Sequence, residues 1–153
     1  HVRHVQFKLR LFLRALSRIG EVADRADRLG NTETRGPDPY FDGLFARAAE
    51  KTYVTAETLI DRLSFATPDE AKYNLFERAF VAGVAHAPLG AHPTTSHGFY
   101  GWDMPHLKAY SASATEENGW RRYFDDYIRQ GESAYLDKVG GSAHVAALPI
   151  PAI

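Results

Sequence analysis

The sequence predicts an α/β fold, and three observations carry that expectation. Phe80 to Ala87 is apolar apart from His86 and is bounded by Pro88 and Gly90. A short run of that kind suits a strand buried on both faces, as in a parallel sheet. Helix signals flank it. Thr67-Pro68 with Asp69 and Glu70 stands ahead, and Trp120, Tyr123, Phe124 and Tyr127 recur at core spacing behind. Between them, residues 88–103 form a loop rich in Gly, Pro, Ser, Thr and His. Loops after buried strands are where α/β proteins keep their chemistry.

Composition narrows the function classes. The 153 residues suit one domain, or one half of a larger α/β domain. Hydrophobic residues make up 44% and charged residues 24%, which excludes disorder over the whole length. The net charge of −1 gives no field to draw nucleic acid or an anionic membrane. The absence of cysteine removes disulfides, Cys-type zinc sites, iron–sulfur clusters and a thiol nucleophile. It suits a reducing cytosol, and a cytoplasmic location is the expectation. No apolar run approaches the roughly 20 residues that span a bilayer. The chain opens on His1, which reads as a trimmed or excised start.

Each element follows from local pattern. Val2, Val5, Leu9, Phe12, Leu16 and Ile19 alternate steps of three and four, with Arg3, Lys8, Arg10, Arg14 and Arg18 between them. Residues 1–22 are therefore expected as a segment built on a basic amphipathic helix over 2–19, ended by Gly20. It could lie on a membrane, pack on a partner helix or be an ordinary surface helix, and the last is the simplest. Residues 23–43, rich in Gly, Pro, Asp and Asn, read as loop. Phe41 to Lys51 reads as a short helix and Thr52 to Thr55 as a buried strand, with a helical turn over Glu57 to Leu63. A helix is expected from Thr67 to about Arg78. Further helices are expected at Pro105–Ala112, Asn118–Arg129 and Ser133–Val139, the last stopped by Gly140 and Gly141. The apolar tail from Ala143 is expected to hang loose or dock on a neighbour.

Several clusters could carry chemistry. His92, His97, Asp103 and His106 offer metal ligands, but their spacing matches no ligand pair on a helix, so no metal is expected. Ser96, His97 and Asp103 could form a hydrolytic triad, yet no nucleophile-elbow pattern surrounds the serine. The plain alternative is a loop whose polar groups satisfy its own backbone. For His92 and Thr94 the structural and functional readings weigh equally. Asp24 to Asn31 alternates charges, as a solvated face with weak salt bridges does. Glu57 is an acid/base group or a cap for the next turn. Glu116-Glu117-Asn118-Gly119 reads as a linker between helices.

Several segments together resemble a known family. Ala26 to Asn31, Ala46 to Ile60, Ala87 to Thr95, Tyr100 to Asp103 and His106 to Tyr110 occur in this order. They resemble the C-terminal half of the α subunit of family I CoA-transferases, of the glutaconate CoA-transferase type. Gly90-Ala91-His92-Pro93-Thr94 is the most specific piece. Asp38 to Phe45 leans toward a sister branch, the CoA-thioester ring hydrolases of steroid breakdown. The match covers residues 23–141. It leaves residues 1–22 as a segment of different origin and 142–153 as a tail.

The resemblance implies an open, mainly parallel sheet with flanking helices and a helical C-terminal end. It implies transfer of CoA from an acyl-CoA to a carboxylic acid, in a hetero-oligomer with a β subunit. The nucleophilic Glu is expected on that β subunit, so no catalytic residue is assigned here. A CoA thioester is the substrate, and no permanently bound cofactor is implied. Gly90 and Ala91 would allow close approach in the acyl or CoA pocket. His92, Thr94 and Tyr100 would offer hydrogen bonds, and Asp103 would hold the loop. One alternative is a subunit of a ring-opening hydrolase. Another is an inactive fragment or small binding module. The family's α subunits are about twice this length, so the chain reads as a fragment lacking half a sheet.

Overall fold

The computed structural model describes residues 18–36 and 41–151. These form two compact units, one ending at Gly90 and the other beginning at Ala91. The first holds a four-stranded sheet: β1 (Ile19–Asp27), β2 (Thr32–Glu33), β3 (Thr52–Ile60) and β4 (Val81–His86), in the order β2-β1-β3-β4. β1 and β3 run parallel from Ile19 opposite Thr52 to Asp27 opposite Ile60. β3 and β4 run parallel with a bulge after Thr52, and β2 folds back antiparallel on β1. The mainly parallel sheet is the one expected.

β1 overturns the helical segment expected over residues 1–22 where the two overlap. Ile19 to Val22 are strand, and the rest of that helix, residues 2–17, lies outside the described residues. β1 also replaces the loop expected at 23–27. Its acids explain the misreading. Glu21, Asp24 and Asp27 are all buried, in place of the solvated face expected for Asp24 to Asn31. The turn into β2 pairs the Asp27 amide with the Asn31 carbonyl at 3.0 Å. Gly30 sits there at φ +87°, a conformation that side chains resist.

Helix α1 (Asp42–Ala48) appears where the apolar spacing placed it. The Thr52 hydroxyl donates to the Ala46 carbonyl at 2.9 Å and pins its end to β3. β3 continues as strand to Ile60, so no helical turn covers Glu57 to Leu63. The capping box at Thr67 and Glu70 forms as expected. Helix α2 (Pro68–Ala71) nevertheless stops after four residues, short of Arg78. The core consists of Ala23, Ala26, Ala46, Val54, Ala56 and Phe76, with Leu75, Val81 and Val84 against it. β4 is not buried on both faces. Among the described residues it lies at the edge of the sheet, and Tyr53 and Leu59 of its neighbour β3 are exposed, as is Val22 of β1.

The second unit is helical: α3 (Met104–Ser113), α4 (Gly119–Tyr123), α5 (Glu132–Lys138) and α6 (Ser142–Ala146). A wider π turn extends α4 through Ile128. Helix α6 corrects the loose tail. Val145 is fully buried, and the Gly101 amide donates to the Leu148 carbonyl at 3.0 Å. A Cβ on Gly101 would stand 1.8 Å from the Pro149 oxygen, so only glycine fits there. Among the described residues, no helix is long and apolar enough to cross a membrane.

Candidate functional site

Residues 87–103 leave the end of β4 as a run of tight turns. The sheet braces the start of that run. Glu57, buried in β3, accepts the Leu89 amide at 2.6 Å, and its carbonyl meets His86 Nε2 at 3.2 Å. Leu89 lies at φ +63°, and the Gly90 amide closes a turn onto the Ala87 carbonyl at 3.0 Å. A Cβ on Gly90 would stand 2.7 Å from that carbonyl oxygen. Glu57 therefore holds the loop, and the turn itself requires Gly90. Gly90 is exposed and Ala91 half-buried.

In the helical unit the loop folds around Tyr100. This side chain is fully buried, and its hydroxyl accepts the Ala91 amide at 2.9 Å. The Tyr100 carbonyl accepts the Thr95 hydroxyl at 2.8 Å and the Ser96 amide at 3.1 Å. Thr94 is exposed, and its hydroxyl donates to the Ala91 carbonyl at 2.5 Å. That leaves the Thr94 oxygen's lone pairs for another donor.

His92 is sealed in, with no side-chain exposure. Its Nε2 lies 3.3 Å from Asp103 Oδ2 and its Nδ1 lies 2.6 Å from the Tyr135 hydroxyl. A neutral ring that donates to the carboxylate accepts from the tyrosine. Burial lowers the His92 pKa and keeps the ring neutral, although Asp103 acts to raise it and His144 to lower it. Asp103 also caps α3, its Oδ1 accepting the His106 amide at 2.9 Å. Its own amide donates to the Pro93 carbonyl at 3.0 Å. Asp103 thus ties His92 and Pro93 to the start of α3. It pairs with His92 and not, among the contacts seen, with His97 of the considered triad.

His106 closes the cluster. Its Nε2 meets the Tyr123 hydroxyl at 2.8 Å, and its ring stands edge-on to Tyr127 with centroids 4.7 Å apart. Burial lowers its pKa first, and the neighbouring His92 adds to that. Burial raises the pKa of Tyr135, with Tyr123 and Asp103 adding to it, so its hydroxyl keeps its proton. Among the described residues, no group of three His, Cys, Asp or Glu side chains could hold a metal. Tyr135 and Tyr123 carried no signal as site residues. Tyr123 showed only core spacing, and Tyr135 is 43 positions from the histidine it holds.

No family model matches the chain. The IpdA subunit of the cholesterol ring-cleaving hydrolase of Rhodococcus jostii is 33% identical over 109 residues, covering 71% of this chain and 37% of that protein. One subunit of the 3-oxoadipate CoA-transferase of Pseudomonas knackmussii is 30% identical over 112 residues, covering 70% and 36%. The crystal structure of glutaconate coenzyme A-transferase from Acidaminococcus fermentans superposes with a TM-score of 0.74 at 25% identity, covering 88% of this chain and 42% of that one. The chain spans less than half the length of these relatives. In sequence and in fold, the chain thus resembles the α subunits of family I CoA-transferases and their ring-cleaving hydrolase branch, over part of those subunits.

Proposed function

We propose that the chain contributes α-subunit structure to an enzyme that moves CoA from an acyl-CoA to a free carboxylic acid. The nucleophilic Glu comes from a partner β subunit in a cytoplasmic hetero-oligomer. A covalent glutamyl thioester splits one hard exchange into two matched steps. The observation that carries the reading is the likeness of fold to glutaconate CoA-transferase. The loop from Gly90 to Asp103 fits the binding part of that work, because its turns are held by hydrogen bonds among its own residues. Gly90, Ala91 and Thr94 face the acyl or CoA pocket. His92, Tyr100 and Asp103 act behind them as positioning residues, since their polar atoms already serve the loop. No permanently bound cofactor takes part.

A second reading is favoured by the identity to the ring-cleaving hydrolase subunit. There water replaces the acceptor acid, and the same loop binds the ring-bearing CoA thioester. The test is to combine the chain with a β subunit of this family and follow acyl-CoA loss with and without acetate. Loss that requires acetate, and that falls at least tenfold in Thr94→Ala while the complex stays assembled, supports the transferase. Loss that needs no acid supports the hydrolase. If the chain binds no CoA ester in the presence of any β subunit, both readings fail, and it is a fragment or binding module without catalysis.

A further inference from the structure

We propose that the sheet-bearing unit holds an anion-binding cleft for a small ligand that carries a carboxylate or phosphate group on an apolar body. The cleft encloses about 480 Å³ beside the ends of β1, β2 and β3. It is independent of the proposed CoA chemistry and uses none of the residues assigned to that loop.

Glu33 is buried, and its two oxygens are taken by Arg25 Nη2 and Arg35 Nε. Glu70 is occupied in the capping box, accepting the Ser64 hydroxyl at 2.9 Å and the Thr67 amide at 3.1 Å. Asp69 pairs with Lys72 at 3.1 Å. Each acid of the cleft is therefore already paired through at least one oxygen, while the cationic donors are not exhausted. A guanidinium has five N–H groups, and Arg25 and Arg35 each spend only one on Glu33. Arg62, on the same wall, is exposed and has no ion-pair or hydrogen-bond partner among the described residues.

Four cationic side chains, Arg25, Arg35, Arg62 and Lys72, thus face three carboxylates across the cleft, and Arg62 is the cation with no partner among the described residues. Guanidinium forks match the paired oxygens of carboxylates and phosphates. The rest of the lining sets the ligand's body. Ile60, Leu63 and the Tyr73 ring supply apolar surface. Arg35 and Lys72 lie over the Tyr73 ring at 5.1 and 5.0 Å from its centroid, which keeps both cations oriented without quenching them.

The test is calorimetric titration of the chain at low salt, once with inorganic pyrophosphate and once with glutarate. Saturable one-to-one binding of either supports the cleft, and the one that binds tells phosphate from carboxylate. Arg62→Ala should weaken that binding at least tenfold. Arg62→Lys should recover part of it, because the charge returns without the fork. Both variants keep the fold, since the side chain is exposed and partnerless. The proposal is overturned if neither anion gives saturable binding, or if Arg62→Ala binds as tightly as the parent.

Discussion

Removing the carboxylate of Asp27 should unlock the sheet-bearing unit. The side chain is fully buried at the end of β1 and accepts four hydrogen bonds. Oδ1 takes the amides of Leu29 and Asn31 at 2.9 and 3.0 Å. Oδ2 takes the Asn31 side-chain amide at 2.8 Å and the Leu63 amide at 3.0 Å. Burial pushes this carboxyl up, but the bonds outweigh it and hold the pKa below the ordinary value. Bonds to a charged acceptor are worth about 1.5–3 kcal/mol each, and a donor left buried and unpaired costs about 1–3 kcal/mol. In Asp27→Ala the exposed Leu29 amide and the half-buried Asn31 groups can turn to water. The Leu63 amide cannot, because that residue is buried. The expected loss is about 4 kcal/mol. Asp27→Asn is the sharper test. Whichever way its amide turns, the NH₂ meets two donors. With the NH₂ toward the Oδ2 side, Asn31 can flip to accept but the Leu63 amide is opposed; with it toward the Oδ1 side, the Leu29 and Asn31 amides are both opposed. That variant should lose about 2–3 kcal/mol, the order of a hundredfold in hydrogen-exchange protection of the β1 and β3 amides. Protection in Asp27→Asn within threefold of the parent would refute the reasoning.

Two further outcomes can be checked in the same way. Burial, with Asp42 adding repulsion, pushes the Glu21 carboxyl up to about 7. The folded state then holds a proton that the unfolded chain has released, so this stabilisation is present below about pH 4.5 and lost as pH rises through 7. Glu21→Gln should melt with the parent at pH 5 and several degrees above it at pH 8, about 1–2 kcal/mol in stability; parallel melting curves against pH would contradict this. Gly101→Ala should cost the helical unit about 2 kcal/mol, because the new methyl displaces the Pro149 carbonyl. It should raise exchange at the Val145 and Leu148 amides, and an unchanged rate there would count against the close approach.

The sequence made some of this legible and hid the rest for identifiable reasons. The capping box at Thr67, α1 and the helices after Pro105 are local patterns, and local patterns survive folding. The parallel strand Val81–His86 stood out because its run has no charge. β1 was hidden by its own acids. Glu21, Asp24 and Asp27 are residue types expected in water; backbone amides from the turn at Gly30 and from Leu63 satisfy Asp27, the Arg35 amide bonds Asp24, and Glu21 is buried with its carboxyl pushed up to about 7. β3 runs on past the expected end at Thr55, and its Glu57, expected as an acid/base group or a cap, instead accepts the Leu89 amide after β4. The candidate loop was found from composition and family likeness. Its clasp was not, because the bond from His92 to Tyr135 joins residues far apart and no local spacing records it.

The core of the first unit has a consequence for how this protein can change. Four of its six buried members, Ala23, Ala26, Ala46 and Ala56, carry a single methyl group. Cores of leucine or isoleucine can trade volume among neighbours, one residue shrinking while another grows. Here only glycine is smaller, and it loosens helix and strand alike. Mutational drift at these four positions is therefore one-sided: nearly every replacement adds atoms to a space already closed by backbone. The sheet and α1 can diverge freely on their outer faces while the seam between them stays fixed.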